Sequence, residues 1–500
     1  MTKTIKKPNL LQGFIPIIFL ILFLSLNVIF FGNDTLSGAN QIALLLASTI
    51  GAVIAIYLGH SWYSIRDIIV KTIGAAMPSM LILMLIGALA GTWMLSGVVP
   101  TIIYYGLKIL HPKIFLFATV VICALVSLAT GSSWSTVATI GVALLGIGNA
   151  LGYSSAIVAG AIISGAYFGD KMSPLSDTTN LAPAMAGTDL FTHIRYMVYT
   201  TAPTLLITLI IYLVIGFTYK FEGTTDISGT LGTLESTFNI SPWLFLVPVL
   251  LIVVIVKKLP PLPSIMFGAL LGGIFAIILQ PHLIEQISGV TNNYAKASYI
   301  SVMKSMYGQI SVQTDNPQIT ELLTTRGMAG MMNTIWLILT AMIFGGVMES
   351  AGLLVKITET IIRFAKSTGS LIASVVGSCI FFNLTASDQY ISIVVPGRMF
   401  ANTFRKRGLK PELLSRTLED SGTVTSALVP WNTCGATQAA VLGVPTLTYA
   451  PYAFFNLISP FMTVFMAAFN IKIRKFTEDE MKKIEAEDAE LEEQELKFEQ

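Results

Sequence analysis

The amino-acid sequence predicts an all-α polytopic membrane protein with inverted structural repeats, paired re-entrant hairpins and about 11–12 membrane elements. The 500 residues are 54% hydrophobic and 12% charged, and their mean hydropathy is +0.73. So few charges would not cover a soluble globule of this size. Many apolar runs approach the roughly 20 residues of a helical span, and the alternating segments of an outer-membrane barrel are absent. We therefore expect transmembrane helices.

An internal repeat is the second observation behind this prediction. Each copy interrupts membrane-length apolar sequence with a small, polar, acid-bearing patch. The matching segments are Gly91–Gly97, Gly131–Ser135 and Asp170–Asp177 in the first copy, and Gly346–Gly352, Thr385–Asp388 and Glu419–Thr423 in the second. Interrupted hydrophobic segments at corresponding places in two halves are the best sequence pointer to the binding site of a secondary transporter.

The apolar runs give candidate spans in chain order. These are 12–32, 39–58, 73–95, 113–130, 134–151, 155–169, 192–217, 241–256, 263–280, 332–349, 369–384, 389–403 and 447–470. They divide the chain into N-terminal scaffold helices (1–60), repeat 1 with the first re-entrant and unwound region (73–217), a linker with two scaffold helices and an external loop (218–331), inverted repeat 2 (332–470) and an acidic cytoplasmic tail (471–500). The amphipathic segments 98–110 and 353–364 are predicted to lie in the membrane interface.

The distribution of charged residues along the chain predicts how it is oriented in the membrane. The net charge of +2 conceals a polarised layout, because residues 478–500 hold 11 acids and 3 bases and the rest of the chain holds 17 acids and 27 bases. Basic clusters at segment ends mark the cytoplasmic side, so both termini are predicted to be cytoplasmic. Arg66 and Lys71 place the start of span 73–95 inside, whereas span 332–349 starts from the external loop. The two copies should therefore cross in opposite directions, and the basic loops indicate topology rather than nucleic-acid binding.

Two polar interruptions have the composition of re-entrant hairpin tips. They are Gly131–Thr136 and Leu384–Tyr390, each at a junction between apolar segments. Non-helical backbone at membrane depth occurs only where protein or a water-filled cavity satisfies its polar groups. The freed carbonyls would combine with the hydroxyls of Ser132, Ser133, Thr385 and Ser387 as oxygen ligands for a small cation. The alternative is that these hydroxyls permit close helix packing or bond back to their own helix.

Membrane-embedded acids are the sharper signal, because a charge at the bilayer centre costs roughly 2.5–3.5 kcal/mol even on lenient insertion scales. Six acids lie in the repeats away from evident loops: Asp170, Asp177, Glu349, Asp388, Glu419 and Asp420. Pro174 predicts that 170–185 is unwound, and Asp420 with Thr423 occupies the related place in the second copy. Three alternatives stay open: Lys171 pairs with Asp170, Glu349 is interfacial, and Glu419 is solvated.

The sequence indicates no cofactor. Cys123, Cys379 and Cys434 lie in apolar segments without CxxC spacing, which favours small packing residues over a metal site or a disulfide framework. An enzyme acting in the membrane is disfavoured because the acids are not accompanied by an HExxH, GxSxG or Walker motif.

The string Gly165–Asn180, which reads GAYFGDKMSPLSDTTN, resembles the NhaC family of bacterial sodium/proton antiporters, as do Gly131–Thr136 and Pro430–Thr433. This resemblance covers about 12–475. It implies alternating access in the bacterial cytoplasmic membrane, with Na+ and H+ as the transported ions and the lipid bilayer as surroundings. The residues that match the family motif are Asp170, Ser173, Asp177, Thr178 and Asn180.

On this resemblance we expect Asp177 to be the principal ion-binding carboxylate, with Asp388 as a second sodium ligand and Asp170 and Asp420 in support. The family also contains an exchanger of malate and protons for sodium and lactate, so an organic-acid antiporter is the alternative. The sequence leaves the oligomeric state open, with a homodimer as one candidate.

Overall fold

The structure, a computed structural model, describes residues 6–31, 37–220, 227–257, 259–314, 319–320, 323–363 and 366–482. Most of the predicted acidic tail, residues 483–500, lies outside the described residues. The rest is built almost entirely of helices, as the composition predicts, with one short antiparallel hairpin in which Ile310 pairs with Thr325.

The first half of the chain contains the N-terminal pair and the first repeat. The N-terminal helices are α1 (Leu10–Phe31) and α2 (Ala39–Tyr57). The first repeat consists of α3 (Trp62–Leu95), α4 (Val98–Ile109), α5 (Pro112–Thr130), α6 (Ser133–Thr136), a π-helix (Val137–Gly141), α7 (Val142–Ala150), α8 (Ser155–Met172), α9 (Asp177–Ala186) and α10 (Leu190–Thr218).

A linker and the second repeat complete the chain. The linker contains α11 (Ile227–Thr237), a 3-10 helix (Pro242–Phe245), α12 (Leu246–Val256), α13 (Pro261–Leu279), α14 (Pro281–Ser288), α15 (Tyr294–Tyr307), β1 (Ile310–Ser311), β2 (Thr324–Thr325) and a 3-10 turn (Met328–Met331). The second repeat contains α16 (Met332–Ser350), α17 (Leu353–Arg363), α18 (Thr368–Thr385), α19 (Gln389–Lys406), α20 (Pro411–Leu418), a π-helix (Glu419–Thr423), a 3-10 turn (Ser426–Leu428), α21 (Thr433–Leu442), α22 (Thr446–Tyr449), a 3-10 turn (Ala450–Tyr452) and α23 (Phe454–Ala468).

Nine helices within the described residues are long and apolar enough to cross a membrane. Two bent pairs, Ile227–Thr237 with Pro242–Val256 and Thr446–Tyr452 with Phe454–Ala468, raise the number to eleven if each pair is one span. This number agrees with the expected 11–12 elements. The chain is a multi-pass membrane protein.

Left-handed turns recur at one spacing along the two repeats. Positive φ angles occur at Gly97 and Gly352, at Gly131 and Ser387, at Gly152 and Gly408, and at Gly187 and Gly443, and each pair is 255 or 256 positions apart. A residue with positive φ ends a helix or reverses the chain. Because the elements between these turns also follow the same order, the structure supports the internal repeat. The opposite orientation of the two copies in the membrane stays a prediction.

Local sequence explains where the helices of the first repeat begin and end. The His111 side chain accepts a hydrogen bond from the Lys113 backbone N–H at 3.2 Å, and Pro112 occupies the first helical position, so α5 begins there. Gly131 ends α5 in the left-handed conformation. The side chain of Ser61 similarly caps α3 by accepting from Ser64 N–H at 3.1 Å.

Three sequence expectations are corrected. Helix α3 begins at Trp62, so Arg66 and Lys71 lie inside it rather than before it. The region 281–331 is not simply a polar loop, because it holds α14, α15 and the hairpin, and α15 packs on α3. Residues 411–428, absent from the predicted spans, form α20 and its π and 3-10 continuations, which are mostly buried. The reason is that their four charges lower the hydropathy of a segment that the surrounding helices enclose.

Candidate ion-binding site

The first hairpin tip joins α5 to α6. Gly131 turns the chain with φ +69°, and the Ser132 hydroxyl caps α6 by accepting from the Ser135 N–H at 3.1 Å. A Cβ atom on Gly131 would lie 2.6 Å from Leu175 Cβ and 2.9 Å from Ser176 N. The tip therefore lies directly against the break between α8 and α9, and a larger residue would separate them.

The second hairpin tip joins α18 to α19 in the same way. Ser387 has φ +59° at the position equivalent to Gly131, and the Asp388 carboxylate caps α19 by accepting from the Ile391 N–H at 3.0 Å. The Thr433 N–H, at the start of α21, donates to the Ser387 carbonyl at 2.9 Å. Each tip thus contacts the first turn of a half-length helix, an arrangement in which helix ends supply partial charges for an ion.

Asp170 is the buried carboxylate of the first break. It lies in the last turn of α8 and is 7% exposed. Its Oδ2 accepts hydrogen bonds from Ser133 N–H at 3.2 Å and from Ser133 Oγ at 2.7 Å. Asp170 also interacts electrostatically with Ser176 and Asp177. The carboxylate is therefore held between the first tip and the α8–α9 break.

Tyr390 brings the two halves together. The carboxylates of Asp170, Asp177 and Asp388 all lie within electrostatic range of its phenol, and Asp388 is 8% exposed. Tyr390 thus lies near acids of both repeats, although among the described residues no three His, Cys, Asp or Glu side chains are close enough together to hold a metal ion. Carboxylate oxygens are among the ligands expected for a small hard cation.

Asp177 has a different setting from the one expected of a principal ligand. The break is only Ser173–Ser176, so the prediction that 170–185 is unwound is wrong beyond these four residues. Asp177 and Asn180 lie in α9, and both are exposed. The Asn180 side-chain amide donates to Ser176 O at 2.7 Å and to Pro174 O at 3.0 Å. Asn180 therefore stabilises the break, and Asp177 lies at its open side.

The remaining predicted hydroxyls divide into two groups. Thr385 bonds back to Phe381 O at 2.7 Å, Ser173 Oγ accepts from Leu175 N–H at 3.2 Å, and Thr178 shares a 3.1 Å hydrogen bond with Ser176. These three have local structural partners. Ser387 Oγ and Thr423 Oγ1, in contrast, are buried without a hydrogen-bond partner among the described residues. They are the hydroxyls still available to a ligand.

A buried ion pair joins the repeats beside this site. Lys171 pairs with Asp420 rather than with Asp170, which settles that alternative, and both side chains are fully buried. Asp420 Oδ1 also accepts hydrogen bonds from Thr200 Oγ1 and Ser459 Oγ, each at 3.2 Å. Asp420, predicted to support ion binding, is therefore occupied by a protein cation.

Sequence reasoning missed Arg416 and left the setting of Glu419 open. Both side chains are fully buried, so the alternative in which Glu419 is solvated is excluded. Arg416 Nε lies 3.9 Å from Asp420 Oδ2, and its guanidinium lies 4.5 Å from the centre of the Tyr196 ring. The spacing of three or four residues between Arg416, Glu419 and Asp420 could have signalled one helical surface.

Comparisons with known proteins now identify the family. The sequence profile of the Na+/H+ antiporter family matches residues 165–471. The chain is 38% identical to the Na(+)/H(+) antiporter NhaC of Alkalihalophilus pseudofirmus over 435 residues, which cover 87% of this chain and 91% of the relative. The chain belongs to the Na+/H+ antiporter family. The resemblance seen in the sequence is confirmed.

Two further relatives of this chain have names that give other activities. The Malate-2H(+)/Na(+)-lactate antiporter of Bacillus subtilis is 36% identical over 91% of this chain and 94% of its own length. The Arginine/ornithine antiporter ArcD of Halobacterium salinarum is 34% identical over 92% of each chain. Family membership therefore indicates a membrane transporter and leaves more than one cargo to consider.

Proposed function

We propose that this protein is a secondary antiporter that extrudes Na+ in exchange for H+ by alternating access across the bacterial cytoplasmic membrane. The observation that carries the proposal is the buried Asp170, bonded to the Ser133 tip beside the acids of both repeats. A sodium ion and a proton are alternative partners for such a carboxylate, because either removes the cost of a buried negative charge. Because the carboxylate holds either a sodium ion or a proton but not both at once, the movement of Na+ is coupled to the movement of H+.

The geometry supports particular roles. Asp170, buried and oriented by Ser133, is the inner ligand in this conformation. Asp177, exposed at the open side of the break, is the ligand that an arriving ion meets first, and Asp388 contributes from the second tip. Ser132, Ser133 and Ser387, with the tip carbonyls, complete the oxygen set. Both termini lie in the cytoplasm in this proposal, and the homodimer remains a prediction.

Proteoliposomes with imposed Na+ and pH gradients test the function. The purified protein should move protons in response to a sodium gradient without any organic acid. Asp170→Asn should abolish this exchange, whereas Asp67→Asn, at an exposed acid that pairs with Arg66 far along the chain from both tips, should not change it. Sodium-driven proton movement that survives Asp170→Asn would contradict the assignment.

A second variant separates the two roles of the Asp388 side chain, as an ion ligand and as the cap of helix α19. Asp388→Ser retains a capping oxygen of the kind that Ser132 supplies in the first repeat. If Asp388 contributes to sodium binding, the variant should keep its thermal stability and lose roughly tenfold in apparent sodium affinity, about 1.4 kcal/mol. Unchanged affinity would restrict Asp388 to capping.

The organic-acid exchanger is the second candidate, favoured by the extended similarity to the malate/lactate antiporter. In the same vesicles it predicts no sodium-dependent proton movement until malate or lactate is present. An absolute requirement for such an acid would replace the sodium/proton proposal.

A further inference from the structure

Glu419 is the buried ionisable group that the proposed exchange leaves without a role. Its side chain is fully buried in the π-helix Glu419–Thr423, next to Asp420. Neither carboxylate oxygen has a well-oriented hydrogen-bond partner among the described residues, although the Thr423 hydroxyl lies close enough to interact with it. Its neighbour Asp420, in contrast, is fully engaged through Oδ1.

An unpartnered carboxylate in such a place is stable only when it carries a proton or when a cation compensates it. Two buried cations lie near Asp420: Lys171 pairs with its Oδ1, and Arg416, whose nitrogens have no hydrogen-bond partner among the described residues, lies 3.9 Å from its Oδ2. Because Lys171 is committed to Asp420, it attracts Glu419 without forming a bond to it. A protonated Glu419, and an ionised Glu419 compensated by these cations, are the two states that such a position can hold.

The surroundings of Glu419 come from every helix that packs on the π-helix. The titratable or charged groups on these elements and on α8 are Asp170, Lys171 and Tyr167 of α8, Asp177 of α9, Cys379 of α18, Tyr390, Arg398, Arg405 and Lys406 of α19 with Asp388 at its start, Glu412 and Arg416 of α20, and Asp420 of the π-helix itself, whereas α23 contributes the uncharged Ser459. Those that act on Glu419 include Lys171, Asp170, Asp420 and Cys379. Asp170 is the link to the ion site, because its charge acts directly on Glu419.

The π-helix is also connected to the second hairpin tip. The Asn383 side-chain amide, in the last turns of α18, donates to Gly422 O at 2.8 Å and to Thr425 Oγ1 at 2.9 Å. The Asn432 amide donates in turn to Asn383 Oδ1 at 3.1 Å. A π-helix frees backbone carbonyls and is frequent at functional sites. The π-helix that carries Glu419 is therefore joined to the second tip through the Asn383 side chain.

We infer that Glu419 binds a transported proton at a site separate from the sodium-binding carboxylates. This inference rests on the proposed sodium/proton exchange and adds a second titrating position to it. Glu419 takes the proton from water when the site faces outward and releases it to water when the site faces inward. Sodium, meanwhile, occupies the Asp170 site between the tips.

The ratio of protons to sodium ions moved by the purified full-length protein tests this role. Proteoliposomes with clamped membrane potential give the ratio from the pH gradient that just balances a known sodium gradient. Glu419→Gln, which keeps the shape of the protonated side chain, should lower the ratio by one proton per sodium ion. Glu349→Gln is the matched control, because Glu349 is an exposed acid of the same repeat, and its ratio should equal that of the wild type.

The outcomes are distinct. No sodium/proton exchange in the wild type defeats the proposed function itself. An unchanged ratio in Glu419→Gln overturns only the inference, and so does complete loss of sodium counterflow in a folded variant, because Glu419 would then serve sodium binding. If Glu419→Gln does not fold, Glu419→Asp should keep the ratio but shift the pH at which exchange is half-maximal. A pH profile identical to the wild type would overturn the inference.

Discussion

The two repeats share one backbone plan and carry different charges. A shift of 256 positions superposes the left-handed turns Gly131 and Ser387 and the helix caps Ser132 and Asp388. The same shift places Asp170 and Lys171 of the first repeat opposite the uncharged Ser426 and Ala427, and places Glu419 and Asp420 of the second opposite Ile163 and Ser164.

This difference teaches how an internally repeated chain builds one asymmetric site. If both copies carried the same charges at the same positions, the two-fold relation would produce two such ion pairs instead of one. Here the first repeat supplies Lys171 at a helix end and the second supplies Asp420 in a helix middle, so that the pair forms between copies. The backbone turns are alike in the two repeats. The side chains differ, because the first repeat carries Asp170 and Lys171 and the second carries the buried acids Glu419 and Asp420.

The largest expected effect follows from breaking this complementarity. Lys171→Met should destabilise the protein by about 3–5 kcal/mol, because it leaves the buried Asp420 with only the more distant Arg416 as a charged partner. Lys171→Met combined with Asp420→Leu and Arg416→Met should recover most of that loss, since no charge of this cluster is then left buried without a partner. Thermal unfolding of the detergent-solubilised variants measures this cycle. Equal melting temperatures for the wild type and Lys171→Met would show that the pair does not join the repeats energetically.

A smaller effect distinguishes the two tips. Gly131→Ala places a Cβ atom 2.6 Å from Leu175 Cβ in a left-handed conformation, which itself costs roughly 1–2 kcal/mol, so this variant should lose stability and transport. Ser387→Gly removes a side chain from the equivalent conformation and should retain or slightly raise stability. Measured melting temperatures and transport rates of the two variants decide. If Gly131→Ala and Ser387→Gly changed the melting temperature and the transport rate equally, the left-handed conformation would not be what limits the side chain at these two positions.

The smallest expected effect concerns a hydrogen bond that joins two distant segments within each repeat. The Ser154 N–H donates to the Tyr219 hydroxyl at 3.0 Å, and 256 positions later the Lys410 N–H donates to Arg474 O at 3.1 Å. The second contact is accompanied by an ion pair, in which Lys410 Nζ lies 3.0 Å from Glu480 Oε1. Hydrogen bonds from Thr477 and from Lys410 hold the pKa of Glu480 below its usual range.

The sign of the pH dependence follows from this lowered pKa. The contact is complete above the usual range of a Glu carboxyl and is lost as the pH falls through the lowered pKa of Glu480. Limited trypsin cleavage near Lys472 and Lys475 should therefore be slow at neutral pH and modestly faster in Glu480→Gln, with Glu478→Gln as control. Cleavage rates that are the same in both variants would exclude a role for Glu480 in fastening this segment.

The sequence predicted much of the site because each signal was local. Glycine and serine at Gly131–Ser135 predict a turn through their conformational freedom and small size, and Asp170 is anomalous in an apolar segment whatever its neighbours. Ser133 and Asp170 are hydrogen-bonded to each other at the first tip. The exposure of Asp177 was not anticipated and the setting of Glu419 was left open, since exposure depends on which neighbouring helix covers a given face. Residues 411–428 looked too polar to be enclosed.

By itself, then, the sequence determined the helical membrane class, the repeat, the two tips and the presence of costly acids, because composition and local conformational preference decide these features. Only the tertiary structure decided that Lys171 reaches Asp420 across 249 positions, that Asp177 stays exposed and that Glu419 is enclosed without a partner. The physical reason is that pairing and burial of charge depend on the packing of helices from distant parts of the chain, which no local pattern contains.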